Sequence, residues 1–115
     1  MFDDVTYQAL RASLTGLAER QRVISNNIAN VETPGFRAGK VQFEAALQSA
    51  IAEGRPPLSV EPTVGRSLEP TRLNGNNVNL DTETLAHLDT NLRYQLSLRA
   101  LDGRYGGLRH VISGQ

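Results

Sequence analysis

Apolar residues recur from residue 7 to residue 31 at alternating intervals of three and four. This spacing keeps them on one side of an α-helix, and it is typical of a helix that packs along another helix with heptad period. The seam has seven apolar members and one polar member: Tyr7, Leu10, Leu14, Leu17, Gln21, Ile24, Ile28 and Val31. We therefore predict a long amphipathic helix over residues 1–31.

A proline ends this first helix. Because the residue before a proline is disfavoured in the helical region, the helix must stop ahead of Pro34. The run 33–36, Thr-Pro-Gly-Phe, fits a type II turn with proline and glycine in the two central positions. Apolar residues then return at helical spacing, which predicts a turn and a short helix within 32–52; they are Phe43, Leu47 and Ile51.

The next segment changes in character. Residues 53–72 hold four of the five prolines, two glycines and charges of both signs. Such a composition cannot bury enough apolar surface to order itself. We predict an extended, flexible loop over 53–78 with no fixed secondary structure.

Helical spacing resumes over residues 79–115. Asp81 is a suitable N-cap, with Leu80 and Leu85 as a hydrophobic staple around it. Two apolar stripes of different register follow: Leu85, Leu88, Leu92 and Leu96 form the first, and Tyr94, Leu98, Leu101, Tyr105, Leu108 and Ile112 form the second. One antiparallel neighbour cannot cover both stripes, so the surplus stripe is expected to pack against another chain.

These elements predict an all-α fold in one domain, residues 1–115. Long N- and C-terminal helices would form an antiparallel, coiled-coil-like pair, joined by a short middle helix and an extended Pro-rich loop. A chain of this size with so long a loop buries little surface as a monomer.

Composition excludes several classes of function. The 12 basic and 12 acidic residues give no net charge, whereas nucleic-acid binding normally requires a basic excess. The chain has no cysteine, hence no disulfide and no thiolate site. The first residues lack the pattern of a Sec signal peptide, and no apolar run reaches the length of a membrane span.

Catalytic chemistry has little support in the sequence. His87 and His110 are far apart, and no P-loop, metalloprotease or serine-nucleophile motif occurs. We predict no catalytic, cofactor-binding or metal-binding residue and no small-molecule substrate. A small enzyme would require both histidines and a carboxylate to converge.

Arginines line both long helices, and two interpretations of them stay open. They form either a solvated surface or salt bridges between chains, with carboxylate partners among Glu19, Glu44, Asp89 and Asp102. The corner after the first helix is equally open, either an ordinary helix end or a site of interaction. Asn27 and Asn30 would present two amides from one face there, and each amide can both donate and accept a hydrogen bond.

The corner also carries a resemblance. The run 26–36, NNIANVETPGF, resembles the N-terminal signature of the bacterial flagellar rod and hook family, with Ser25 where alanine is usual. Three further runs resemble proximal rod members of that family: RAGKVQFEAAL, NGNNVNLDTET and the closing 25 residues. Gly39, Lys40 and Asn74 depart from the usual pattern. Distal members insert a large β-rich domain where this chain has about twenty Pro-rich residues.

The resemblance implies a structural subunit of the proximal rod, the drive-shaft of the flagellar basal body, that polymerises through its terminal helices. It further implies export by the flagellar type III apparatus without a Sec signal, and a position in the periplasmic rod. The implied partners are further copies, other rod proteins, the adaptor protein at the rod base and the export gate. The second proximal rod protein and a small helical-hairpin substrate of another export system remain alternatives.

The expected contacts with other subunits lie in the corner and on the last helix. The residues are Asn27, Asn30, Thr33, Pro34, Gly35, Phe36, Leu92, Tyr94, Leu98, Leu101, Tyr105 and Leu108.

Overall fold

The computed structural model describes residues 4–112, with side chains through residue 103. Two long helices, α1 (Val5–Ala29) and α3 (Leu80–Ile112), pack side by side. Asn27 near the end of α1 donates a hydrogen bond to Glu83 near the start of α3, so the pair is antiparallel. Between the helices the chain forms β1 (Gly39–Gln42), α2 (Glu44–Ala52), a 3₁₀ turn (Pro57–Ser59) and β2 (Thr63–Arg66).

Helix α1 carries the predicted seam and a second buried face. Tyr7, Leu17 and Ile24 of the seam are buried. The amide of Tyr7 donates to the Asp4 carboxylate at 2.7 Å, which caps the start of the helix. The second face packs against β1 and α2, and it consists of Ala12, Gly16, Val23 and Asn27. Helix α1 therefore contacts neighbours on two sides.

The middle of the chain corrects the sequence prediction. β1 and β2 form an antiparallel hairpin whose register runs from Gly39 opposite Arg66 to Gln42 opposite Thr63. Residues 53–72 therefore contain a strand and a 3₁₀ turn, and the prediction that they have no fixed secondary structure is wrong. The all-α prediction is confirmed only in part, because a mostly helical chain also holds this small sheet.

The core is small and lies where α1, β1 and α2 meet. Phe43 sits at its centre, 4% exposed, with its ring against Gly16. Tyr94 of α3 packs against the same cluster, whose buried members are Ala12, Leu17, Val23, Val41, Phe43 and Leu47. With dimensions of 64 × 29 × 14 Å, the molecule is thin and elongated.

Helix α3 starts two residues earlier than predicted, because Asp81 is not its N-cap. Its N-cap is Asn79, whose side-chain oxygen accepts the Thr82 amide at 3.1 Å. Asp81 lies in the first turn, where its charge complements the helix dipole. Leu80 and Leu85 are both exposed, so the predicted staple does not bury them.

Candidate assembly surface

The outer side of α3 carries a row of exposed leucines. Leu85, Leu88, Leu92 and Leu96 are each between 57% and 68% exposed. The opposite side of the helix faces α1 and holds the buried Glu83 and Thr90. The row spans about 17 Å at 1.5 Å per residue. We call these four residues the leucine stripe; they form an apolar surface that the chain itself does not cover.

An apolar groove adjoins the leucine stripe. It runs between α1, α2 and α3, and Leu96 belongs to both the groove and the stripe. Its other apolar lining residues are Leu17, Phe43, Leu47 and Ile51. Leu96 therefore connects the leucine stripe to the groove.

The predicted turn is present at the corner after α1. The Phe36 amide donates to the Thr33 carbonyl at 3.2 Å, and Gly35 has a φ of 76°, as the third residue of a type II turn requires. Thr33, Pro34 and Gly35 are exposed. Phe36 is half-buried, with the Arg66 guanidinium 5.5 Å from its ring centroid. The corner thus presents three residues to solvent on a fixed turn.

Asn27 is almost fully buried, with 1% exposure. Its side-chain amide donates to the Gly39 carbonyl at 2.9 Å and accepts the Gly39 amide at 2.8 Å. Asn27 thus satisfies both backbone polar groups of Gly39, the first residue of β1, as a neighbouring strand would. The second amide hydrogen reaches Glu83 at 3.1 Å, so the hydrogen bonds of Asn27 lie within the chain.

Asn30 is half-buried, and its side chain stabilises the turn by hydrogen bonds to Asn26 and Thr33. Its amide donates to the Asn26 carbonyl at 2.8 Å, and its oxygen accepts the Thr33 hydroxyl at 3.0 Å. The two amides that the sequence places on one face therefore bond to their own chain.

The other predicted contact residues lie on α3. Leu92 and Leu98 are exposed by 60% and 43%, whereas Tyr94 and Leu101 are half-buried. The side chains of Tyr105 and Leu108 lie outside the described residues.

Asn76 and Asn77 were missed by sequence reasoning. Asn76 is fully buried and donates to the carbonyls of Asn30 and Thr33, both at 2.8 Å. Asn77 accepts the Ala38 amide at 2.7 Å. The run NGNN is typical of a turn, but nothing in it marks the partners of its last two side chains.

Among the described residues, arginines of the two long helices pair with carboxylates in three places. Arg20 forms two hydrogen bonds with Glu44, at 2.6 and 2.7 Å, and a third with the Val41 carbonyl at 2.8 Å. The hydrogen bonds from Arg20 lower the pKa of Glu44. The other two pairs lie on single helices; they are Arg22 with Glu19 and Arg93 with Asp89.

Within residues 4–103, no three histidine or acidic side chains come together in a group that could hold a metal ion. His87 is exposed on α3, and His110 lies outside the described side chains. Among the described helices, none is long and apolar enough to cross a membrane.

Comparison with known proteins identifies the family. The family model described as "Flagella basal body rod protein" matches residues 10–37, which contain most of α1 and the corner. The chain is 31% identical to the flagellar basal body rod protein FlgB of Escherichia coli, over 95% of this chain and 94% of the relative. FlgB of Bacillus subtilis is 30% identical, over 95% and 94% of the two chains.

These relatives are all FlgB proteins. They therefore favour an FlgB-type proximal rod protein over the second proximal rod protein, and over a helical-hairpin substrate of another export system. Their coverage extends through the hairpin and α3, beyond the segment that the family model matches. The chain therefore belongs to the FlgB family of flagellar basal body rod proteins, which are structural proteins and not enzymes.

Proposed function

We propose that this chain polymerises within the proximal rod by burying its leucine stripe against helices of neighbouring subunits. The observation that carries the proposal is the exposure of four leucines along one side of α3, on a chain whose own core is small. Further burial of each leucine would contribute about 1 kcal/mol, from the apolar area still open to water. The four leucines together would contribute about 4 kcal/mol per subunit, so the stripe would act together with the other contacts of the subunit.

The corner is proposed as a second contact. Thr33, Pro34 and Gly35 project from a turn that Asn30 stabilises, so a neighbour meets a fixed surface. Binding to a fixed surface costs less conformational entropy than binding to a loop that must first be ordered. Asn27 contributes from behind, by holding β1 against the end of α1.

Supercoiling of α1 around α3 is part of the same proposal. The heptad spacing of the α1 seam and the antiparallel packing of the two helices support it. Tyr94, Leu98 and Leu101 would extend the contacts along α3, with Tyr105 and Leu108 continuing the row in the sequence.

The partners and the route of export follow from the family. We propose that the subunit contacts further copies, other rod proteins, the adaptor at the rod base and the export gate, and that the flagellar type III apparatus carries it to the periplasmic rod. The thin shape and small core support this route, because a chain with few buried residues costs little free energy to unfold for export.

Electron microscopy of basal bodies tests the proposal. Cells that lack the gene should show membrane rings without rods, and restoring the gene should restore the rods. Normal rods in cells without the gene would contradict the proposed role.

A further inference from the structure

The side chain of Asn76 joins two segments that lie more than 40 residues apart in the sequence. It is fully buried, and its two amide hydrogens reach the carbonyls of Asn30 and Thr33, both at 2.8 Å. Its oxygen accepts the Val78 amide at 2.8 Å. One side chain therefore bonds both to the corner after α1 and to the approach to α3.

Backbone contacts link the same two segments. The Gly35 amide donates to the Asn74 carbonyl at 2.8 Å, and the Asn77 amide donates to the Phe36 carbonyl at 3.2 Å. Gly75 lies so close that a Cβ there would be 3.2 Å from the Gly35 Cα. The turn at Gly75 and the turn at Gly35 are therefore packed against each other.

Two more side chains close the junction on either side. The Asn77 oxygen accepts the Ala38 amide at 2.7 Å. The Arg72 guanidinium donates to the Val31 carbonyl, which lies just beyond α1. Residues 30–38 and 72–78 are thus connected along their length, with the Asn76 amide at the centre.

We propose that Asn76 is a positioning residue that latches the corner to the start of α3, so that residues 30–38 and 72–78 order and open as one unit. The latch fixes the direction in which Thr33, Pro34 and Gly35 project. The latch holds the corner that the proposed assembly uses, but all of its hydrogen bonds lie within one chain.

Only asparagine has the groups that this position requires. Aspartate keeps the acceptor for Val78 but loses both donors, and alanine loses all three hydrogen bonds. In either variant the carbonyls of Asn30 and Thr33 keep the backbone donors of their own turn but lose the hydrogen bonds that join them to residues 72–78, so the junction opens more easily. A longer glutamine side chain would not fit a site with no exposed surface.

Hydrogen exchange on the full-length chain, read by mass spectrometry of peptides, tests the latch. In Asn76→Ala, peptides over 30–38 and 72–78 should both exchange on the order of tenfold faster, because opening of the unit becomes easier. Peptides over the middle of α1 should be unchanged. Asn91→Ala, on the exposed side of α3, should leave both segments unchanged.

Leu47→Ala serves as a control for general loss of stability. Leu47 is 8% exposed in the core, so this variant should speed exchange around α2 and not selectively at the junction. If Asn76→Ala loses its helical circular dichroism, the Asn76→Ser variant, which keeps an uncharged hydroxyl in the site, decides the test.

Three results would overturn the proposal. The first is faster exchange over 72–78 while 30–38 keeps its protection. The second is equal acceleration along the whole chain in both Asn76 variants. The third is a wild-type chain with no protection at the junction. None of them bears on whether cells without the gene lack rods, so the latch and the rod function fail independently.

Discussion

Gly16 is a residue at which the absence of a side chain decides the packing. A Cβ there would lie 2.4 Å from the Phe43 ring, far inside van der Waals contact. Phe43 is buried in the core and cannot retreat without opening a cavity. Glycine in a helix costs up to about 1 kcal/mol relative to alanine, so its presence in α1 reflects the space that the ring needs.

Gly16→Ala should therefore lower the free energy of unfolding. The gain in helix propensity is about 1 kcal/mol, whereas forcing atoms into a packed core costs typically 1–3 kcal/mol, and this contact is severe. We expect a net loss of about 1–2 kcal/mol in urea unfolding. Gly103→Ala is the matched control: its Cβ would meet nothing within 4 Å, so it should stabilise the chain. A Gly16→Ala chain as stable as the control would contradict the packing.

The Arg20 and Glu44 pair gives stability a dependence on pH. Because the hydrogen bonds from Arg20 hold the pKa of Glu44 below its ordinary value, the folded state binds this proton less readily than the unfolded chain. The stabilisation is therefore fully present above the ordinary pKa of a glutamate, and it is lost as the pH falls through the lowered pKa of Glu44. The Glu44 side chain is half exposed, so the pair contributes about 1 kcal/mol or less.

Glu44→Gln should reduce the free energy of unfolding at pH 7 and make little difference at an acidic pH below the lowered pKa of Glu44, where the wild-type carboxyl is protonated. Urea titrations of both chains at the two pH values measure this. Glu53→Gln is the control, because Glu53 pairs only with Arg55, two residues away on an exposed turn. An equal loss at both pH values would show that Glu44 acts through packing and not through its charge.

At the scale of elements, the helices were predictable and the hairpin was not. The α1 seam was predictable because residues at intervals of three and four lie on one side of a helix, whereas the second buried face of α1 was not predicted. All four residues of β2 are exposed, so the strand carries no alternation of apolar and polar positions. Its order comes from backbone bonds to β1, and backbone bonds leave no pattern in a sequence.

The candidate site shows the same limit. The surplus of apolar residues on α3 was predictable, and the structure places the leucine stripe outside the chain's own packing. The partners of Asn27 and Asn76 are mostly backbone groups of distant segments. No residue type marks such a partner, so their burial could not be predicted from a single sequence.

A charge placed in the leucine stripe separates helix formation from assembly. Leu92→Glu should leave the helix content of the isolated chain unchanged, because Leu92 is 60% exposed and glutamate is a good helix former. In a subunit contact it would bury an unpaired carboxylate, which is strongly unfavourable. We expect few or no rods in cells that carry only this variant.

Asn91→Glu introduces the same charge at an exposed position of the same helix, about 100° around the helix axis from Leu92. It should support rods at the wild-type level in basal bodies counted by electron microscopy. If the two variants assemble alike, the stripe is not a subunit contact.

At the scale of the whole molecule, the fold combines a small hydrophobic core with an ordered apolar surface that is exposed to solvent. Six buried residues make up the core cluster of a chain 64 Å long, while four leucines of α3 stay open to water. Such a chain gains much of its possible apolar burial only on association. A rod subunit built in this way couples its final stability to its place in the polymer.

The exposed corner should then matter more to the polymer than to the subunit. Pro34 is exposed and lies beyond the end of α1, so Pro34→Ala removes no core contact and should leave the circular dichroism of the isolated chain unchanged. It frees the turn that presents Thr33 and Gly35, and we expect about tenfold fewer assembled rods, the loss typical of an important contact residue. Phe36→Ala should act in the same direction, with a small loss of stability because its ring is half-buried under Arg66.

Pro70→Ala, at an exposed proline of the middle segment, is the control and should assemble normally. Equal losses of helix content and of rods in Pro34→Ala would show that the corner serves only the packing of its own chain.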